Sequence, residues 1–263
     1  MRRVKWLCAA VCVLVGLGGR SPTAIGQNRP GSVRQRTDEQ NLDPEKTVAR
    51  FVEKIQTDSR FAGDNYIHEE LEINDTLKNG VVAEREKKLF AVRVEKGTTY
   101  SKLMSRDGTP MLNPKFEPKK EPFSVNAQLF QRYIFTFVRN ENFERKRCWV
   151  LSFKPRGNLP EEKPEDRVLN NLAGEIWIVQ DTFSLAKLVF SLTKGVNFAW
   201  PSIIGGRITM VDGVVIGGAV DGHFVISSVR VEYEYSARLI FWPKNKRAIK
   251  TIYYQNYERR DYR

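Results

Sequence analysis

The side chains best able to do chemistry in this chain are few and widely spaced: His68, His223, Cys148 and the adjacent carboxylates Glu69-Glu70 and Glu161-Glu162. A thiol nucleophile needs a base beside it. Cys148 stands instead between Arg147 and Trp149 at the start of a strand-like run, which reads as a packed thiol. Two histidines this far apart offer none of the close spacings that metal ligands show. Neighbouring carboxylates on a strand point to opposite faces, so both acidic pairs read as solvated charge. The chain lacks a Gly-rich phosphate loop, a Gly-x-Ser-x-Gly elbow and a His-Glu-x-x-His helix. Gly205-Gly206 and Gly217-Gly218 read as strand ends or bulges, because no Lys-Ser/Thr follows either. No catalytic residue, metal site or cofactor is expected, and the chain does not read as an enzyme.

What these residues can do is bind. Phe90 and Val92, Phe135 and Phe137, Leu188 and Phe190, and Val231 and Tyr233 each recur at period 2, which sets each pair on one face of a strand. Phe51 lies on a helical stripe with Val48, Val52 and Ile55. These nine residues (Phe51, Phe90, Val92, Phe135, Phe137, Leu188, Phe190, Val231 and Tyr233) are the expected lining of a cavity for acyl chains. Together they exceed what one helix can cover, so shape and apolarity rather than a charged anchor are expected to hold the ligand.

The elements that must position them are mostly strands. From Gly174 onward the chain reads as an antiparallel ladder without a helical interruption, which argues against a parallel sheet and its nucleotide sites. Asp212-Gly213 and Asp221-Gly222, each among β-branched residues, predict two hairpin turns. Val229 to Leu239 alternates apolar with charged or small residues. Earlier strands are predicted over 65–73, 81–94, 98–106, 132–138 and 147–154, with Asn140-Glu141-Asn142 as a turn. Four prolines make 109–126 a loop and a candidate lid, with a short helix near 125–130. A second Pro-rich loop follows at 155–168, and Asp166 to Leu172 predicts a helical turn. Asp43 as N-cap, Pro44 at the first turn and the Val48–Ile55 stripe predict a helix ending near Asp58–Phe61, before Gly63. Val196 to Val229 carries little charge and reads either as two buried hairpins or as an apolar rim that meets acyl chains or a membrane.

The N-terminus bears on where the protein works. Arg2, Arg3 and Lys5 precede an apolar run from Leu7 to Gly19, and Ala24-Ile25-Gly26 supplies small residues, which together predict a secretory signal peptide over 1–26. Residues 27–41 are polar and aperiodic, a flexible leader, and 42–263 form a single domain. Removing residues 1–26 takes away four basic residues and no acid, lowering the net charge from +12 to +8. That charge is interspersed with acids and reads as a solvated surface, with no nucleic-acid partner.

The segment 81–94, the Ser105-Arg106-Asp107-Gly108-Thr109-Pro110-Met111-Leu112 turn and the Cys148–Arg156 strand ending Lys-Pro-Arg carry a resemblance. So do Leu169-x-x-Leu172-x-Gly174-Glu175-Ile176-Trp177-Ile178 and Tyr253-Tyr254-Gln255-Asn256-Tyr257. With the N-terminal amphipathic helix, they resemble the LolA/LolB-like family of outer-membrane lipoprotein-sorting proteins over roughly 45–260. The resemblance implies a mainly β, α+β fold: an open, strongly curved antiparallel half-barrel of about ten to eleven strands. The N-terminal helix and short lid helices would lie on its concave face. It also implies a monomeric periplasmic carrier of acylated lipoprotein or lipid, in transient contact with a membrane surface or a membrane-anchored partner. The alternative is an envelope-stress or lipoprotein-sensing module that contacts a membrane-anchored regulator without transport. The chain departs from the receptor branch in having no cysteine placed for lipid attachment.

Overall fold

A computed structural model describes residues 42–119, 127–162, 164–200, 203–238 and 243–260. The predicted signal peptide and leader lie outside these residues, as do the last residues of the candidate lid. Asp43 Oδ1 accepts from the backbone N–H groups of Glu45 and Lys46, and Pro44 opens helix α1, Pro44–Asn65. The chain then forms β1 (Tyr66–Lys78), β2 (Val81–Glu95), β3 (Thr98–Arg106) and two short edge pieces, β4 (Thr109–Pro110) and β5 (Glu117–Pro118). Helix α2 (Ala127–Phe130) leads into β6 (Tyr133–Phe143) and β7 (Lys146–Pro155). After α3 (Pro164–Leu169) come β8 (Leu172–Val179), β9 (Leu185–Leu192), β10 (Val196–Trp200), β11 (Ile203–Val220), β12 (His223–Arg238) and β13 (Pro243–Arg259).

All thirteen strands join one antiparallel sheet in the order β4-β3-β2-β1-β13-β12-β11-β9-β8-β7-β6. β10 pairs with the first part of β11, and β5 with β3. The sheet does not close, so the fold is the open antiparallel half-barrel the sequence predicts. Asp221-Gly222 turns β11 into β12 with both residues at positive φ, the two-residue turn whose twist matches antiparallel strands. Asn79-Gly80, Lys96-Gly97 and Asp107-Gly108 repeat it between earlier strands.

Several predicted boundaries are corrected. Asp212-Gly213 is no turn: it lies inside β11, opposite Glu232 and Val231. Glycine is there because the Phe190 ring crosses the strand, and a Cβ on Gly213 would sit 2.0 Å from it. Asn140-Glu141-Asn142 continues β6, held by the Arg139 pairs to Glu141 and Glu175, and the turn falls at Glu144-Arg145. α1 runs past Gly63 to Asn65, because Asp58, Ser59 and Ala62 prolong its buried stripe. Gly63 is a contact point there, where a Cβ would lie 3.2 Å from a Val94 methyl. The predicted helical turn over Asp166 to Leu172 is α3, which stops at Leu169, and Leu172 already belongs to β8.

One apolar cluster joins the inner stripe of α1 (Val48, Phe51, Val52, Ile55) to Leu151, Ile176, Phe190, Val215 and Val231 on the concave face. Val196, Phe198, Ile208, Val211 and Val229 belong to it too, so the described part of the low-charge stretch is buried hairpin. A smaller cluster of Cys148, Val150, Trp177, Val179 and Ala186 occupies the opposite face of β7–β9. Among the described residues, no helix is long and apolar enough to cross a membrane.

Candidate functional site

α1 lies across the concave face against β1, β2, β6 and β12, and its two ends are held differently. At the C-terminal end Asp58, 1% exposed, accepts from the Phe224 backbone N–H at 2.8 Å and from Lys54 Nζ at 2.9 Å. His223 Nδ1 lies 3.1 Å from the same carboxylate, and its ring stacks on Phe61 at 3.6 Å. Tyr66, just past the helix, hydrogen-bonds Asp221 in the β11–β12 turn. The contacts to Asp58 converge on a buried carboxylate and are charge-assisted, which makes them costly to break. At the N-terminal end the polar ties are at the surface. Glu45 meets Arg156 at 3.2 Å with both side chains largely exposed, and the Arg50 guanidinium lies over the Phe183 ring. The apolar tie there is Phe51, whose ring meets Phe130 edge-on at 5.5 Å.

Of the nine residues predicted to line a cavity, seven meet in this cluster. Phe51, Phe190 and Val231 are buried within it, and Phe135, Phe137, Leu188 and Tyr233 pack against it half-buried. Val92 and Phe90 lie apart on β2, Val92 buried and Phe90 half-buried. The alternation on β6 assigns its faces correctly, since Ile134 and Val138 on the other side are exposed. Sequence reasoning missed Phe130, Trp149 and Phe183, which join Phe135, Phe137 and Leu188 as a half-buried rim packed against the cluster, with Phe130 and Phe183 meeting α1 through Phe51 and Arg50. Phe183 and Phe130 sit in a turn and a one-turn helix, where no periodicity marks an inward side chain.

The concave face changes character across the sheet. On β6–β12 its inward residues are apolar; on β1, β2 and β13 they include Glu70, Glu72, Glu86, Lys88 and Lys250. Glu70, expected as solvated charge, is instead buried, because the segment after β5 brings Lys119 Nζ to 2.5 Å from it. His68 Nε2 lies 3.6 Å away, its ring stacked on Tyr257. Burial alone would raise the Glu70 carboxyl; the Lys119 ammonium and His68 outweigh it and hold it at about 2. A folded-state value below the ordinary 4.5 stabilises the fold above that pH, and the contribution disappears as pH falls towards 2. Urea midpoints of wild type should therefore drop between pH 4.5 and 2, and Glu70→Gln should flatten that drop while lowering stability at pH 7. An unchanged acid slope in Glu70→Gln would show that the Lys119 pair contributes nothing.

Cys148 is fully buried, and burial pushes its thiol above the ordinary range, an arrangement suited to packing and not to attack. Each histidine is taken up by a structural carboxylate, His68 by Glu70 and His223 by Asp58, on different parts of the sheet. No group of His, Cys, Asp or Glu among the described residues is arranged to hold a metal ion.

No protein-family model and no curated protein matches the chain. Solved structures do. A LolA superfamily protein from Nitrosomonas europaea shares 10% identity at a TM-score of 0.38, over 85% of this chain and 96% of that one. A DUF1329 family protein from Desulfovibrio piger shares 11% at 0.39, over 83% and 94%. An outer membrane lipoprotein-sorting protein domain from Vibrio parahaemolyticus shares 8% at 0.38, over 81% and 93%. The chain is similar to these proteins in fold outline, and likeness at this level assigns no function.

Proposed function

We propose that this protein is a periplasmic carrier that holds acyl chains of lipoproteins or lipids on its concave face and passes them toward the outer membrane. The observation that supports it most is the rim: Phe130, Phe135, Phe137, Trp149, Phe183 and Leu188 pack on a continuous apolar floor yet stay half-buried. Large apolar side chains left partly open on one side of a sheet suit an acyl ligand. Floor residues such as Phe51 and Val231 are covered by protein, so acyl chains reach them only if α1 lifts. Its N-terminal half carries the weaker polar ties and the Asp58 end the stronger, so lifting starts at Glu45 and Arg50 and hinges near His223.

The test is mass spectrometry of lipid extracted from protein purified from its native compartment, together with titration of the emptied protein with a fluorescent fatty acid. Co-purifying acylated species and saturable binding are expected. A protein that carries no lipid and ignores the probe would overturn the carrier reading. Capture of a membrane-anchored partner by that lipid-free protein would instead favour a sensing module.

A further inference from the structure

We infer that the concave face carries, beside its apolar floor, a second subsite for an anionic head, a carboxylate or a phosphate. Resting on the carrier reading, this names the ligand as a charged amphiphile rather than a bare hydrocarbon chain. Along β13 the positions opposite the inward residues of β12 are Ile252 facing Val229, Lys250 facing Val231, Ala248 facing Tyr233 and Lys246 facing Tyr235. Cross-strand partners share a face. Lys246 and Lys250 therefore stand on the concave side, on the strand that borders the last apolar strand. Tyr233 and Tyr235 stack there with ring centroids 6.4 Å apart, and Ile208 opposite Tyr235 extends the floor.

The two lysines differ in their company. Lys250 pairs with Glu72 at 3.2 Å, and Lys88 beyond it pairs with Glu86 at 2.6 Å, so those charges are matched. Lys246 is half-buried, and no ion pair links it to an acid among the described residues. Its partner on β12 is Tyr235, while Glu232 and Glu234 project from the other face, where Glu232 pairs with Arg247. An ammonium held at the edge of an apolar floor without a carboxylate is poised for a ligand's anion, because the charged hydrogen bond strengthens as water is excluded. A tail lying on Tyr233, Tyr235 and the β11 floor puts its head beside Lys246.

The experiment measures displacement of a neutral fluorescent acyl probe from the full mature chain by oleyl alcohol, oleate and oleyl phosphate, which share one tail. Acetate and inorganic phosphate serve as head-only controls. Wild type is expected to prefer at least one anion over the alcohol by about ten-fold, with no displacement by the head-only ions. Whichever of oleate and oleyl phosphate displaces better identifies the head. Lys246→Gln should abolish the preference and Lys246→Glu reverse it, with the alcohol unchanged in both. Thermal unfolding of both variants checks that they fold, and the glutamine variant serves if the glutamate one does not. Equal displacement by all three tails in wild type, or a preference that survives both substitutions, overturns the head subsite and leaves the carrier reading standing. Failure of the neutral probe to bind at all overturns both.

Discussion

Phe51→Ala should unfold about 3–5 kcal/mol more easily than wild type and, while still folded, admit an acyl probe faster. The ring is 1% exposed and meets Phe130 edge-on, so its removal leaves a cavity that the sheet beneath cannot fill. It is also the main apolar tie of the end of α1 where Glu45–Arg156 and Arg50–Phe183 lie at the surface. Loss of that tie favours the lifted state while the Asp58 clasp holds the other end. Urea unfolding and stopped-flow probe uptake measure the two effects separately. Stability and uptake falling together would make α1 a fixed core element and not a cover.

The second large effect is expected where no side chain exists. A Cβ on Gly174 would lie 1.9 Å from the Val189 carbonyl oxygen and 2.8 Å from Phe190 Cα. Both are backbone atoms of the neighbouring strand, which cannot rotate away as a side chain can. Gly174→Ala must therefore pry β8 from β9 under the apolar floor, and it should cost more than about 3 kcal/mol or prevent folding. Gly157→Ala is the matched control, since a Cβ there meets nothing within 4 Å. It should change stability by less than about 0.5 kcal/mol. Similar midpoints for the two variants would mean that the strands have slack which the close approach conceals.

Much of this architecture was legible in the sequence, and the exceptions share a cause. Period-2 patterns assigned the faces of β6, β9 and β12 because burial on one side leaves a local imprint that needs no knowledge of the partner. Asp221-Gly222 behaved as a turn and Asp212-Gly213 did not, though the dipeptides are identical. What separates them is Phe190, more than twenty residues away and invisible in the local pattern. Glu70 misled in the same way. Its burial depends on Lys119, delivered by a loop from the far side of β3. Seven of the nine residues expected to line a cavity fall in one apolar cluster, because alternation on a regular element shows which side chains share a face. The rim's Phe130 and Phe183, and the place of Lys246 on the concave face, depend on which strands become neighbours, and that order appears only once the sheet is assembled.

That order has a consequence for biogenesis. Among the described residues, β1 through β5 connect to the rest of the sheet through β13 alone, the last of the thirteen strands to be made. Until those seventeen residues arrive, the leading hairpins have an open edge on β1 and the floor strand β12 has one on its own side. A chain that emerges from its N-terminus therefore passes through a stage of two unjoined half-sheets, each with an unpaired row of amide groups that can capture a stray strand. Its safe folding depends on the interval between the appearance of β12 and the docking of β13, and a holding chaperone would act within that interval.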